Sequence, residues 1–224
     1  MELNRELEEF VNSQIGRTVR HPLIEQIGEG RLSLAQLRVF AQQFYHFLAE
    51  AEYRFSALSV VRSPDLESVK RNLAHAVDEA GHMEHYLRFA AVLGLTEQDL
   101  EQSEPKPGVF HFANYFYRLS FFATPAEVAA GAGLPEGVFA AQCERIEQGL
   151  LRYYGYSGVE AKFFSLHTVA DREHEKLHYW RIERQVTTDI MRKKVMRAAR
   201  LGFQYYVEMF DAILDAVSEQ RQDA

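Results

Sequence analysis

Between positions 167 and 178 the chain runs His-Thr-Val-Ala-Asp-Arg-Glu-His-Glu-Lys-Leu-His, which sets His167, Asp171, His174 and His178 at i, i+4, i+7 and i+11. At about 100° per residue these positions fall within roughly 60° of one another on one helix face. Phe163, Leu166, Val169, Ala170 and Leu177 help bury that side. Buried imidazoles and carboxylates each need a polar partner. A metal ion serves several at once, and iron and zinc suit these donors. A solvated face with one satisfied core histidine is the plainer alternative, and the regular spacing of the set favours the metal.

A second cluster lies upstream, Asp78-Glu79-Ala80-Gly81-His82-Met83-Glu84-His85. Glu79 and His82 make the Glu-x-x-His pair used by carboxylate-bridged di-iron bundles, both side chains leaving one helix turn. Asp78, His82 and His85 share a face equally well, and His75 stands one step further back. The carboxylate therefore stays open, whereas His82 belongs to both solutions. Glu136 sits among small residues (AAGAGLPEGVFAAQ) and is either a bridging carboxylate or a charge favoured by a helix N-terminus. Glu50 and Glu52 are weaker candidates that could simply face solvent.

The elements that must position these groups are helices. Apolar residues recur at helical spacing, and short β-branched runs closed by Asn-Gly or Asp-Gly turns are absent. A first helix is expected over about Glu2 to Val19, with Leu3, Leu7, Phe10, Val11 and Ile15 on one side. His21-Pro22 opens a short helix. Ser33 caps another that runs to about Val61. A third long helix spans Asp65 to about Leu93 and stops at Gly94. Phe110 to Phe122 is aromatic-rich. Residues Ala126 to Tyr154 read as a helix disturbed near Gly131, Gly133 and Pro135, and Val159 to Gln185 and Thr188 to Ser218 complete the set. The expectation is an all-α, single-domain bundle of about seven helices covering residues 1–224.

Composition narrows the function. The 224 residues are 47% hydrophobic, enough for a sizeable core, and no linker or repeat divides them. The net charge of −7 is spread along the chain, and the Arg192–Arg200 cluster reads as a solvated helix face, so no nucleic-acid partner is expected. The polar start (MELNRELEEF) is no signal peptide, and no window nears the roughly 18 apolar residues of a membrane span. With Cys143 the single cysteine, no internal disulfide can form, and a cytoplasmic location is expected.

The stretch Glu136 to His174 carries a Glu, then Gly149-Leu150 and Tyr154-Gly155, then His167-x3-Asp171-x2-His174. On these residues the chain resembles the heme-oxygenase-like di-iron oxidases, the family of the chlamydial protein associating with death domains. His21-Pro22 with Gly30-Arg-Leu-Ser-Leu-Ala-Gln-Leu, and Asn72-Leu73 through Leu93-Gly94-Leu95, are similar to the opening and third helices of the wider thiaminase-II and pyrroloquinoline-quinone synthase superfamily. The likeness covers about residues 20 to 185. It implies a heme-oxygenase-like fold and two Fe(II) ions per chain among Glu79, His82, Glu136, His167, Asp171 and His174, with O2 as co-substrate. It also allows a homodimer. One departure stands out: the family often has Glu-x6-His in its third helix, and here the residue seven before His82 is His75. Glu79 or Asp78 then serves instead, or His75 replaces the carboxylate.

The expected function is O2-dependent oxidation of a small molecule resembling an amino acid, amine or fatty acid, in a biosynthetic pathway. Three histidines and three carboxylates leave open positions for O2. Tyr115, Tyr117 and Arg118 could line a pocket and hold a carboxylate, although such an aromatic stripe is more often core. The alternatives are a cofactor-free enzyme like thiaminase-II or the quinone synthase, and a helical interaction module without catalysis. A thiaminase needs a placed cysteine nucleophile, and Cys143 looks like a core residue. A heme would need a proximal histidine on the first helix, for which His21 before Pro22 is poorly placed.

Overall fold

The computed structural model describes residues 2–49 and 53–220. In chain order the helices are α1 (Glu2–Thr18), α2 (Pro22–Gly28), α3 (Leu34–Phe47), α4 (Tyr53–Val61), α5 (Leu66–Ala80) and α6 (His82–Val92). There follow α7 (Glu97–Glu101), α8 (Pro107–Phe122), α9 (Pro125–Val128), a π-turn (Ala129–Gly133), α10 (Leu134–Tyr153), α11 (Lys162–Gln185) and α12 (Asp189–Glu219). No strand occurs among the described residues, so the all-α expectation holds.

Local chemistry starts these helices. Pro22 sits in the first turn of α2, whose Leu23 amide donates to His21 Nδ1 at 3.2 Å. Ser33 and Gln36 close a reciprocal capping box at α3, and Asp65 and Thr188 cap α5 and α12.

Two expected helices are subdivided. The one over Asp65–Leu93 is two, α5 and α6, meeting at Gly81. A glycine inside a helix costs about 1 kcal/mol relative to alanine, so the junction falls there. The helix expected over Ala126–Tyr154 widens into the π-turn. That segment is all Ala and Gly, and small residues let a neighbour approach: a Cβ on Gly202 of α12 would overlap the Gly131 carbonyl. Of the helix expected from Ser33 to Val61, the described parts include α3 and α4. Glu50 and Glu52 lie between them, outside the described residues.

One continuous apolar core joins the helices, with Phe40, Phe44, Phe89, Phe112, Phe163, Phe164, Phe203 and Phe210 all buried. Burying each such ring is worth roughly 1.5–3 kcal/mol. The buried face of α11 is of two kinds. Its first turn inserts Phe163 and Phe164, the next four turns present His167, Asp171, His174, His178 and Arg181, and Ile182 closes the face. Four turns of buried polar groups cannot pack on an apolar surface, so α5, α6 and α10 must answer them with polar side chains. No described helix is long and apolar enough to cross a membrane.

Candidate metal centre

Three elements meet at the polar stretch of α11. α5 brings His75 and Glu79, α6 begins with His82, and the first turn of α10 brings Glu136. Glu79 lies at the middle. Its Oε2 is 2.8 Å from His82 Nδ1, and its Oε1 is 3.2 Å from His174 Nδ1 and 3.3 Å from His75 Nε2. Glu136 Oε2 lies 3.7 Å from His174 Nδ1 and 3.8 Å from His75 Nε2, and Asp171 Oδ1 is 3.7 Å from His174 Nδ1. His167 turns its ring to within 4.3 Å of that of His82, centroid to centroid. Its Nδ1 is 2.9 Å from the Phe163 carbonyl, which can only accept, so the ring proton sits on Nδ1 and the lone pair on Nε2.

These atoms suit metal ions in two respects. First, His75 Nε2, Glu79 Oε2, His82 Nδ1, Asp171 Oδ2 and His174 Nδ1 are buried without a well-aligned hydrogen bond, even though Glu79 Oε2 and His82 Nδ1 stand only 2.8 Å apart, a costly state for polar atoms. Second, donors bound to one ion at about 2.1 Å stand roughly 3–4 Å apart, and the separations above fall near that range. Three groups of donors are close enough to share an ion: Glu79 with His82 and His167, His75 with Glu79 and His174, and Glu136 with Asp171 and His174. Glu79 belongs to two of them and aims one oxygen at each.

All six sequence-predicted residues, Glu79, His82, Glu136, His167, Asp171 and His174, thus come together. Of the two carboxylates left open, Glu79 is buried among these groups with 4% of its side chain exposed, whereas Asp78 is 61% exposed and lies 3.9 Å from His174 Nε2. His85, half-buried, belongs to none of the three groups. Tyr115 and Arg118 do not reach the centre. The Tyr115 hydroxyl donates to the Ala198 carbonyl at 2.9 Å, and Arg118 borders a surface depression shared with Lys194 and Arg197.

Behind Glu136 stands a network that spacing alone did not assign. His178 Nε2 is 3.0 Å from Glu136 Oε2, and Arg181 Nη1 is 2.9 Å from His178 Nδ1. A guanidinium only donates, so His178 carries its proton on Nε2 and donates it to Glu136. Arg181 also donates to Asn72 Oδ1, and Asn72 Nδ2 donates to the Ser59 carbonyl at 3.0 Å and to Ser63 Oγ at 2.8 Å. The signal for His178 was its place four residues after His174; Arg181, three residues further, had none beyond that same face.

Burial sets the ionisation of the cluster. Burial raises the Asp171 carboxyl to about 7 against the pull of His167 and His174. It lowers His174, but the Asp171, Glu136 and Glu79 carboxylates outweigh it and bring that imidazole up to about 9. Burial also raises Glu79, yet His75 and His82 hold it well below the usual carboxylate range. Glu136 is raised by burial, which His75 and His174 only partly offset. His178 is pushed well down by burial and by Arg181, so it stays neutral.

A cavity of about 30 Å³ opens beside Glu79, Glu136 and Asp171. Its other walls are Phe44, Phe47, Phe112, Phe116, Phe139 and Tyr206, with Ala132 and Pro135. Such a space holds one or two water-sized molecules. Glu136, which borders this space, keeps 20% of its side-chain surface. Cys143 is fully buried and is not among the lining residues.

Residues 9–220 match the model of the TENA/THI-4/PQQC family. The chain belongs to that family. Among its relatives, a 4-aminobenzoate synthase of Chlamydia muridarum is 29% identical over 206 residues, covering 88% of this chain and 84% of the relative. An aminopyrimidine aminohydrolase of Helicobacter pylori is 30% identical over 135 residues, covering 58% of this chain and 60% of the relative. A solved domain of Shewanella denitrificans with a heme-oxygenase-like fold superposes with a TM-score of 0.76 at 20% identity, covering 99% of this chain and 92% of that one. The fold is heme-oxygenase-like, as the sequence implied. Family members are enzymes of more than one kind, and two of those kinds appear in these names.

Proposed function

We propose that the chain is a non-heme di-iron oxidase or oxygenase that uses O2 to transform a small molecule. The observation that carries this is Glu79, buried between two histidine groups with one oxygen turned to each. Glu79, His82 and His167 would hold one Fe(II), and Glu136, Asp171 and His174 the other. Such ions, when bound, supply the one-electron chemistry that activates O2.

The chain's own residues do the rest. Three carboxylates offset much of the charge of two divalent ions, which makes their burial tolerable. His178 holds Glu136 in one orientation, and Arg181 fixes the tautomer that lets it do so. The phenylalanine walls keep bulk water from the carboxylates and offer an apolar surface to the reacting part of a substrate. The relatives named 4-aminobenzoate synthase support a biosynthetic role, and the small, largely apolar cavity suits O2 or a small apolar group more than a charged one.

A hydrolytic function is the second reading, favoured by the relatives named aminopyrimidine aminohydrolase. Against it, the one cysteine of the chain is sealed in the core away from the cavity. The deciding experiment is anaerobic Fe(II) loading of wild type and His167→Ala, followed by O2 addition in a stopped-flow spectrometer. About two irons per chain in wild type, fewer in the variant, and an oxygen-dependent transient absorbance are expected of an iron-dependent enzyme. No stoichiometric iron in wild type would overturn the proposal and turn attention to hydrolysis.

A further inference from the structure

We infer that His75 is a metal ligand, so that the centre holds its two ions with seven side chains, four imidazoles and three carboxylates. The inference rests on the di-iron function proposed above and deepens it.

The six expected ligands are already complete without His75, yet this imidazole is aimed at their midst. It lies one helical turn before Glu79 and two before His82, on one face of the α5–α6 segment. The side chain is 2% exposed, and its buried Nε2 makes no well-aligned hydrogen bond. The groups around that nitrogen are Glu79 Oε1 at 3.3 Å, Glu136 Oε2 at 3.8 Å and the His174 ring at 4.0 Å between centroids. The His178 ring stands further off, at 5.8 Å. Glu79 Oε1 and His174 Nδ1 are themselves 3.2 Å apart, so His75 Nε2 completes a triangle of donors around one point.

The consequence is an unequal pair. One ion has Glu79, His82 and His167. The other has His75, His174, Asp171 and Glu136, and shares Glu79. A neutral imidazole at position 75 adds a donor without adding charge. Two divalent ions then keep one more positive charge than a carboxylate at this position would leave, and one fewer coordination position stays open at the second ion.

The test uses metal-free protein titrated anaerobically with Co(II), comparing wild type, His75→Ala and His75→Glu. A ligated imidazole in Co(II) protein contributes one strongly shifted, exchangeable ring N–H resonance. Four such resonances are expected in fully loaded wild type and three in either variant. His75→Ala should bind the second Co(II) at least about tenfold more weakly and leave the first ion's affinity within about twofold. His75→Glu should restore two-ion binding with only three resonances, and it decides the matter if the alanine variant does not fold. Three resonances in wild type, with both affinities unchanged in His75→Ala, would overturn the inference while leaving the two-ion centre standing. Wild type that takes up no stoichiometric Co(II) would overturn the inference and the di-iron proposal together.

Discussion

His178 Nε2 lies 3.0 Å from Glu136 Oε2, although the two residues are 42 positions apart in the chain. Because Arg181 donates to the other ring nitrogen, the imidazole has one tautomer available and one direction in which to donate. Replacing His178 by Ala is expected to weaken metal binding by about 10- to 100-fold, the usual effect of losing a ligand's orienting partner. Arg181→Met, which keeps the bulk and removes the donors, should act in the same direction. Metal titrations alongside circular dichroism check both variants, the latter showing that the helices persist.

Gly133 faces the same imidazole. A Cβ there would fall within the His178 ring, and the ring is too enclosed to move aside. Gly133→Ala is expected to cost about 1–3 kcal/mol in overpacking. For a chain of this length that lowers the melting temperature by roughly 2–12 °C. Calorimetry measures it, and an unchanged melting point would mean that α10 and α11 can slide apart at no cost.

Removing Glu79 should do more than removing any one histidine. Both expected ion positions draw on its two oxygens. Glu79→Ala is expected to reduce metal uptake from about two ions per chain to nearly none, and His82→Ala to about one. Elemental analysis of anaerobically loaded, gel-filtered protein separates these outcomes.

The metal-free protein should be less stable at high pH. The His174 imidazole has a pKa of about 9 when folded against an ordinary 6.5, so its contribution is complete below about pH 6.5 and lost as the pH rises through 9. Asp171, raised to about 7 from 3.8, acts in the same sense at lower pH. Melting temperatures of the metal-free protein should therefore fall between pH 7 and 9. Loading at pH 7 should flatten that slope and release roughly one to two protons per chain, because the ion takes the places of those protons. A pH-stat titration counts them.

The sequence made the α11 row legible because helical spacing is regular: His167, Asp171, His174 and His178 share one face, although of the apolar residues expected to bury it Phe163 is buried and Val169 is 70% exposed. It could not choose between Asp78 and Glu79, which are adjacent on the helix and differ only in how the α5 segment is rotated against α11. That rotation is set by tertiary packing. The junction at Gly81 was hidden for a similar reason, since a lone glycine marks a weak point without showing that the helix gives way there. Ala129–Gly133 offers no side-chain pattern at all, so its widened turn could be suspected only from its glycines. Glu136 stood out as an acidic residue among small ones, with a helix-terminal charge as its other reading, but its support by His178 and Arg181 depends on contacts across long stretches of chain.

The π-turn also sets the angular phase of everything after it. A turn of this kind takes in one residue more than an α-turn, which shifts the downstream helix by about 100° relative to an uninterrupted one. Pro135 and Glu136 follow it directly, and both border the cavity. The aim of Glu136 is thus partly a matter of counting. Deleting one alanine from Ala129–Gly133 would let the segment close as an ordinary α-turn with Glu136 kept in phase, whereas regularising the full-length segment to α-helix would swing that carboxylate by about a quarter-turn around the α10 axis with no ligand mutated, so the width of a featureless turn carries information that no side chain in it does.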